Sequence, residues 1–222
     1  MSLEVSNDYR NTCFCTPLNN IYDKKQELED IILTSHPGVN DIYRYIKEKR
    51  GAYFKPFCEI YNRKCAYCGA HISLGDIRLF EIDHFICKSS LKNNSIEANK
   101  TRNLVFSCYA CNRGKSKLVF DDEHKSLLNP DDNSIANVFY RDEEYYIKIN
   151  ERFTDDRLVQ QFYNKLSFND EFRRLDYFLL EINGLNETLN HDSKIYYILN
   201  DLKNKLMSKR NNYFLQKKEE SQ

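Results

Sequence analysis

From about Ile21 to Leu33 apolar residues recur at helical spacing, with Ile21, Leu28, Ile31 and Ile32 on or near one face, which predicts an amphipathic helix. The run HPGVN (36–40) breaks it through Pro37 and Gly38. Ile42, Tyr43, Tyr45 and Ile46 then predict a second helix, and Pro56 suits the opening of a third through Phe57, Ile60 and Tyr61. The pattern changes period in the middle of the chain. RLFEIDHF (78–85) and NLVFSC (103–108) read as paired strands, and YACNRGKSK (109–117) as the start of a helix. LLNPDDNS (127–134) is a turn-rich connector, and NVFYRDEEYYIKI (137–149) predicts a β-hairpin with an acidic turn. From Asp155 the pattern is helical through Leu158, Phe162, Leu166, Phe172, Leu175, Phe178, Leu179 and Ile182, with Gly184 and the following asparagines expected to end it. A last helix, about 192–215, is expected to bury Ile195, Ile198, Leu199, Leu202 and Leu206. The fold class is therefore α+β: two short strands and a helix in the centre, a small hairpin, and mainly helical flanks.

Composition narrows the setting. No apolar run approaches the roughly 20 residues that span a bilayer. The start MSLEVSNDYRN lacks a secretory pattern, so the expectation is a cytoplasmic protein whose thiols stay reduced. The net charge of +0 hides segregation. Between Phe85 and Val119 stand Lys88, Lys92, Lys100, Arg102, Arg113, Lys115 and Lys117 against Glu97 alone, whereas the next stretch, to Arg157, is acidic. Such a belt suits either a phosphate-binding face or a solvated lysine-rich loop.

The eight cysteines change the picture more. Cys65 and Cys68 form one C-x-x-C pair and Cys108 and Cys111 a second, and four thiolates from two tight knuckles make a tetrahedral structural zinc site. The 39 residues between the pairs exceed an ordinary zinc-ribbon spacing and require an inserted structure. His71 is a less suitable substitute ligand. Cys13 and Cys15 form only a C-x-C in a non-periodic stretch, 1–20, that reads as loop or docking arm; they, Cys58 and Cys87 receive no role. His36, His124 and His191 lack ligand-like neighbours.

Between the cysteine pairs lie Asp83-His84 and Asn103; Asn112 comes nine residues after Asn103, followed by Lys115. In this order the segment resembles the HNH endonucleases of the ββα-metal superfamily, in the subgroup with a four-cysteine zinc site. Asn112 stands where many members have histidine, so this is an HNN variant. The resemblance implies a metal-dependent endonuclease that hydrolyses phosphodiester bonds in nucleic acid, DNA favoured. It implies His84 as general base, Asn103 orienting the His84 ring, and Asp83 and Asn112 as oxygen ligands to a catalytic Mg²⁺ or Mn²⁺ distinct from the zinc. Lys115 would neutralise a phosphate oxygen, and Arg113, Lys117, Arg102 and Lys100 would grip neighbouring phosphates. Glu81 is expected to support the site through a hydrogen bond or ion pair. Because strand alternation puts Asp83 and His84 on opposite faces, the strand is expected to bulge or end there. The 18 residues between His84 and Asn103 form a long polar loop that either touches nucleic acid or is a tolerated surface insertion.

On this basis the chain divides into an N-terminal helical region (1–57), the HNH core with its four-cysteine zinc site (58–120) and a hairpin plus C-terminal helical region (121–222). More loosely, the core followed by LLNP, a hairpin and helices resembles the HNH nucleases of bacterial anti-phage systems, retron-associated and Septu-type. That resemblance implies a partner ATPase docked by the flanking helices. The alternatives are an RNA- or tRNA-cleaving effector, or a zinc-stabilised binding module that cuts nothing. Neither a small-molecule cofactor nor a membrane is expected.

Overall fold

In the computed structural model, residues 8–15, 17–91 and 94–220 are described. The first seven residues and Thr16 of the expected N-terminal arm, and Lys92 of the basic belt, lie outside them. Three helices open the described chain: α1 (Ile21–Ser35), α2 (Ile42–Ile46) and α3 (Phe54–Ile60). Helix α1 buries Ile21, Leu28 and Ile32, but also Lys25, whose ammonium is paired in the interior with Asp131. Tyr61 Oη donates to the other oxygen of Asp131 at 2.7 Å, so the carboxylate is satisfied on both sides.

The centre has the expected β, β, α order. Strand β1 (Phe80–His84) and, after the short helix α4 (Ser95–Ala98), strand β2 (Leu104–Cys108) form a two-stranded antiparallel sheet. Helix α5 (Tyr109–Lys115) follows directly. Residues pair one to one from Phe80↔Cys108 to His84↔Leu104, so β1 reaches its catalytic-type residues without a bulge and ends on them. The long polar loop between the strands is built rather than loose. The Glu29 carboxylate of α1 accepts from the Thr101 backbone N–H at 2.9 Å, and Asn99 and Thr101 are buried.

Helices α6 (Asp122–Leu127) and α7 (Ile135–Val138) lead to the hairpin β3 (Phe139–Arg141) and β4 (Ile147–Ile149), then α8 (Arg157–Lys165), α9 (Glu171–Thr188) and α10 (Lys194–Glu220). The hairpin is shorter than expected because residues 135–138 complete a helical turn first. Asp156 and Asp170 cap α8 and α9 by accepting from backbone N–H groups of the first turn. One buried apolar cluster runs from Tyr9 to Phe168 and draws on all three segments of the chain.

Two expectations fail in the C-terminal part. Gly184 does not end its helix; α9 continues to Thr188. The glycine is there because the N-terminal arm crosses the helix at that point: a Cβ would lie 2.6 Å from Cys13 Sγ and from the Phe14 backbone nitrogen. The apolar stripe of α10 is only partly covered. Leu206 packs with Met207 against Leu74, Leu179 and Leu180, while Ile195, Ile198 and Leu202 stay exposed. Among the described residues no helix is long and apolar enough to cross a membrane.

Candidate functional site

The two knuckles come together. Ala66 N donates to Phe106 O at 2.8 Å, which lashes the first knuckle to β2, whose last residue is Cys108. Gly69 turns the knuckle with φ +77°, and a side chain there would strike the Arg10 carbonyl at 2.6 Å. All four sulfurs lie within 4.8 Å of one another, and all four cysteines are buried. Zn–S bonds of about 2.3 Å in a tetrahedron set neighbouring sulfurs about 3.8 Å apart. Cys68 Sγ and Cys108 Sγ are 3.8 Å apart, so the residues fit zinc. Burial pushes the Cys65 and Cys111 thiols up, while hydrogen bonds from Cys111, Cys65 and Cys68 hold Cys108 down. Four thiolates this close and this dry need a cation among them to stay ionised together. His71 takes no part: its Nδ1 contacts Ser73. Nor does Cys13, whose Sγ donates to Glu181 O at 3.1 Å.

The chain supplies a cation of its own to the cluster, and nothing in the sequence pattern announces it. Arg173 of α9 is buried with its guanidinium on three of the sulfurs, 3.1 Å from Cys68, 3.7 Å from Cys108 and 3.2 Å from Cys111. Its Nη2 also donates to Leu166 O at 2.7 Å. A zinc tetrathiolate here would carry two negative charges, and Arg173 would offset one of them in the interior.

The predicted catalytic residues Asp83, His84 and Asn112 lie on β1 and on α5, the helix that also carries Cys111. Glu81 and Asp83, two apart on β1, both meet α5: Glu81 accepts from Asn112 Nδ2 at 2.5 Å and from Arg113 at 3.1 Å, and Asp83 pairs with Lys115 at 3.3 Å. His84 points to the opposite face, where its ring lies 4.4 Å from that of Tyr43. Both faces nonetheless open into one cleft of about 390 Å³, lined by Asp83, His84, Asn112, Glu81 and Arg113 together with Tyr43, Lys47, Lys49 and Phe54. A two-stranded sheet leaves the outer edge of β1 unpaired, and the cleft wraps around it. Asp83, His84 and Asn112 are thus brought together.

The amide of Asn112 has one possible orientation. A carboxylate only accepts, so its NH₂ must face Glu81, and Oδ1 is left as a donor atom for a cation. Asp83 is buried, which raises its carboxyl above the usual range; Lys115 and the Tyr67 hydroxyl, 2.7 Å away, offset this only in part. An oxygen donor set of this kind suits Mg²⁺ or Mn²⁺, which keep several positions for water and phosphate. Burial lowers His84 to about 4, against the hydrogen bond to Asn99, so the ring is neutral at pH 7.

Two assigned roles need correction. Asn103 does not touch the His84 ring; its Oδ1 accepts from Ile86 N at 2.8 Å and its Nδ2 donates to Ile86 O and Ala98 O, both at 3.0 Å. It braces the turn leaving β1, and Asn99 stands at the ring instead, with Oδ1 2.9 Å from Nε2. Lys115 cannot reach a phosphate: it is fully buried, with Nζ spent on Asp83 and the His84 and Phe85 carbonyls. Three residues on from Asn112, it faces the sheet rather than the cleft. Lys100 and Arg102 both pair with Glu97, and Arg102 lines a different cleft, whereas Arg113 lines the His84 cleft and Lys117 is exposed.

Asn99, Tyr43, Lys47 and Tyr67 are the residues that sequence spacing missed. Only the aromatic in C-A-Y-C, between two ligands, offered a signal. No curated protein and no solved structure matches the chain. Residues 65–119, 55 of the 222 in the chain, match the family model of the HNH endonucleases.

Proposed function

We propose that this protein is a metal-dependent endonuclease that hydrolyses phosphodiester bonds, with His84 as general base. The observation that supports this most is the convergence of Asp83, His84 and Asn112 on one open cleft with Arg113, Lys47 and Lys49 at its walls. His84, neutral at pH 7, takes a proton from the attacking water. The water oxygen bonds to phosphorus, the bond to the leaving oxygen breaks on the opposite side, and that oxygen takes a proton from solvent. A Mg²⁺ or Mn²⁺ held by Asp83 and Asn112, when bound, supplies Lewis acidity at the phosphate and offsets charge on the leaving oxygen. Arg113, exposed beside Glu81, holds the strand by a neighbouring phosphate.

The finer reading is a cytoplasmic enzyme acting on DNA in anti-phage defence beside a partner ATPase; the location rests on the sequence start and the lack of a long apolar run, DNA on the resemblance of the core, and defence and the ATPase on that of the flanking regions. Plasmid nicking with Mg²⁺ or Mn²⁺ tests the activity. Wild type should nick and His84→Ala should not; equal behaviour removes the catalytic assignment and leaves a binding module. Running tRNA beside the plasmid, with and without the product of a neighbouring ATPase gene, tests substrate and partner.

A further inference from the structure

His84 does not stand alone in the cleft. Its Nε2 is 2.9 Å from Asn99 Oδ1, and Asn99 Nδ2 donates to Asp41 Oδ1 at 2.8 Å. Asp41 is itself anchored, since the same oxygen accepts from Arg44 N at 3.1 Å as the cap of α2. Asn99 is 3% exposed and so exchanges little with water.

The chain of hydrogen bonds has one consistent direction. The Asp41 carboxylate has no hydrogen to give, so the Asn99 amide must turn its NH₂ toward it. Its Oδ1 then faces the ring, and an amide oxygen only accepts. The nitrogen it meets, Nε2, must carry the ring hydrogen. A neutral imidazole has one N–H, so the lone pair is at Nδ1. We propose that Asp41 and Asn99 are positioning residues that hold His84 in the Nε2–H tautomer and so make Nδ1 the nitrogen that accepts the proton from water. Residues 41 and 43 deliver two constraints from one short helix and its cap: Asp41 sets the tautomer through Asn99, and the Tyr43 ring, tilted 49° to His84, limits rotation of the imidazole. The N-terminal region, outside the matched segment, thereby completes the site.

This inference rests on His84 being the base, and two measurements separate the two claims. Long-range ¹H–¹⁵N spectra of the imidazoles at neutral pH report the tautomer without any turnover; the His84 signals are assigned by their loss in His84→Ala. Wild type should show a protonated Nε2 and a bare Nδ1, and Asn99→Leu should show both tautomers. In nicking assays Asn99→Leu and Asp41→Leu should lose about 10- to 100-fold in kcat with KM little changed. Asp41→Asn, whose amide oxygen still accepts from Asn99 and still caps α2, should recover most of that loss. A wild-type spectrum with hydrogen on Nδ1 overturns the inference, even if Asn99→Leu fails to fold. So does wild-type kcat in a folded Asn99→Leu. An active His84→Ala, by contrast, overturns the base assignment and leaves the tautomer result standing.

Discussion

The four-cysteine site and the His84 cleft share one small sheet and one helix, yet they are built in opposite ways. The cysteines are at most 8% exposed, their sulfurs lie against one another and Arg173, and four thiolates would fill every position of a tetrahedral ion. The cleft keeps about 390 Å³ open, and its oxygen donors leave positions to spare. An ion that holds shape is served by saturation and burial, whereas one that does chemistry must keep room for water and phosphate. The two sites are still coupled mechanically. Tyr67, between Cys65 and Cys68, donates its hydroxyl to Asp83, so the knuckle also sets the position of a cleft carboxylate.

If that division holds, damage to each side should have a different signature. Replacing Cys65 and Cys68 together by serine should unfold the core, because zinc binding in small domains supplies about 10 kcal/mol or more of folding free energy; circular dichroism and zinc content would report it. His84→Ala should do the reverse, cutting nicking by about 10²- to 10⁴-fold while the melting temperature stays at or near the wild-type value. Arg173→Met sharpens the comparison. It leaves a buried tetrathiolate without its second cation and should cost about 3–5 kcal/mol in chemical denaturation, with weaker zinc retention. The smallest effect lies outside both sites. The His124 ring bridges the capping carboxylates Asp121, at 2.7 Å, and Asp156, at 2.9 Å. Burial would lower its pKa, but hydrogen bonds and charge from the two carboxylates raise it. The folded value is above the unfolded one, so the stabilisation is full below about pH 6.5 and is lost as pH rises through the raised value. His124→Gln should flatten the dependence of melting temperature on pH across that window and leave nicking unchanged.

Much of this architecture is written locally. Short apolar runs marked β1 and β2, the C-x-x-C spacing marked the four-cysteine cluster, and the apolar stripe marked α1 within two residues of its end. What failed to show was direction. Lys115 is a cationic side chain like Arg113, but its position two residues further along α5 turns it into the core, where it holds two carbonyls. Asn103 and Asn99 differ by four residues and have the same side chain, and only the fold around Asp41 decides which one meets His84. Arg173 lies 62 residues beyond Cys111, and its role depends on how α9 crosses the cluster. Contacts of this length carry no period that a pattern of residues can display.

The separation of the two metal roles is tested most directly by mild chelation followed by zinc analysis and plasmid nicking on the same sample. Treated protein should keep about one zinc per chain and its folded spectrum, lose nicking, and regain it with Mg²⁺ or Mn²⁺ but not with added Zn²⁺. If nicking instead falls in proportion to zinc lost, and zinc alone restores it, one metal is doing both jobs and the account is wrong.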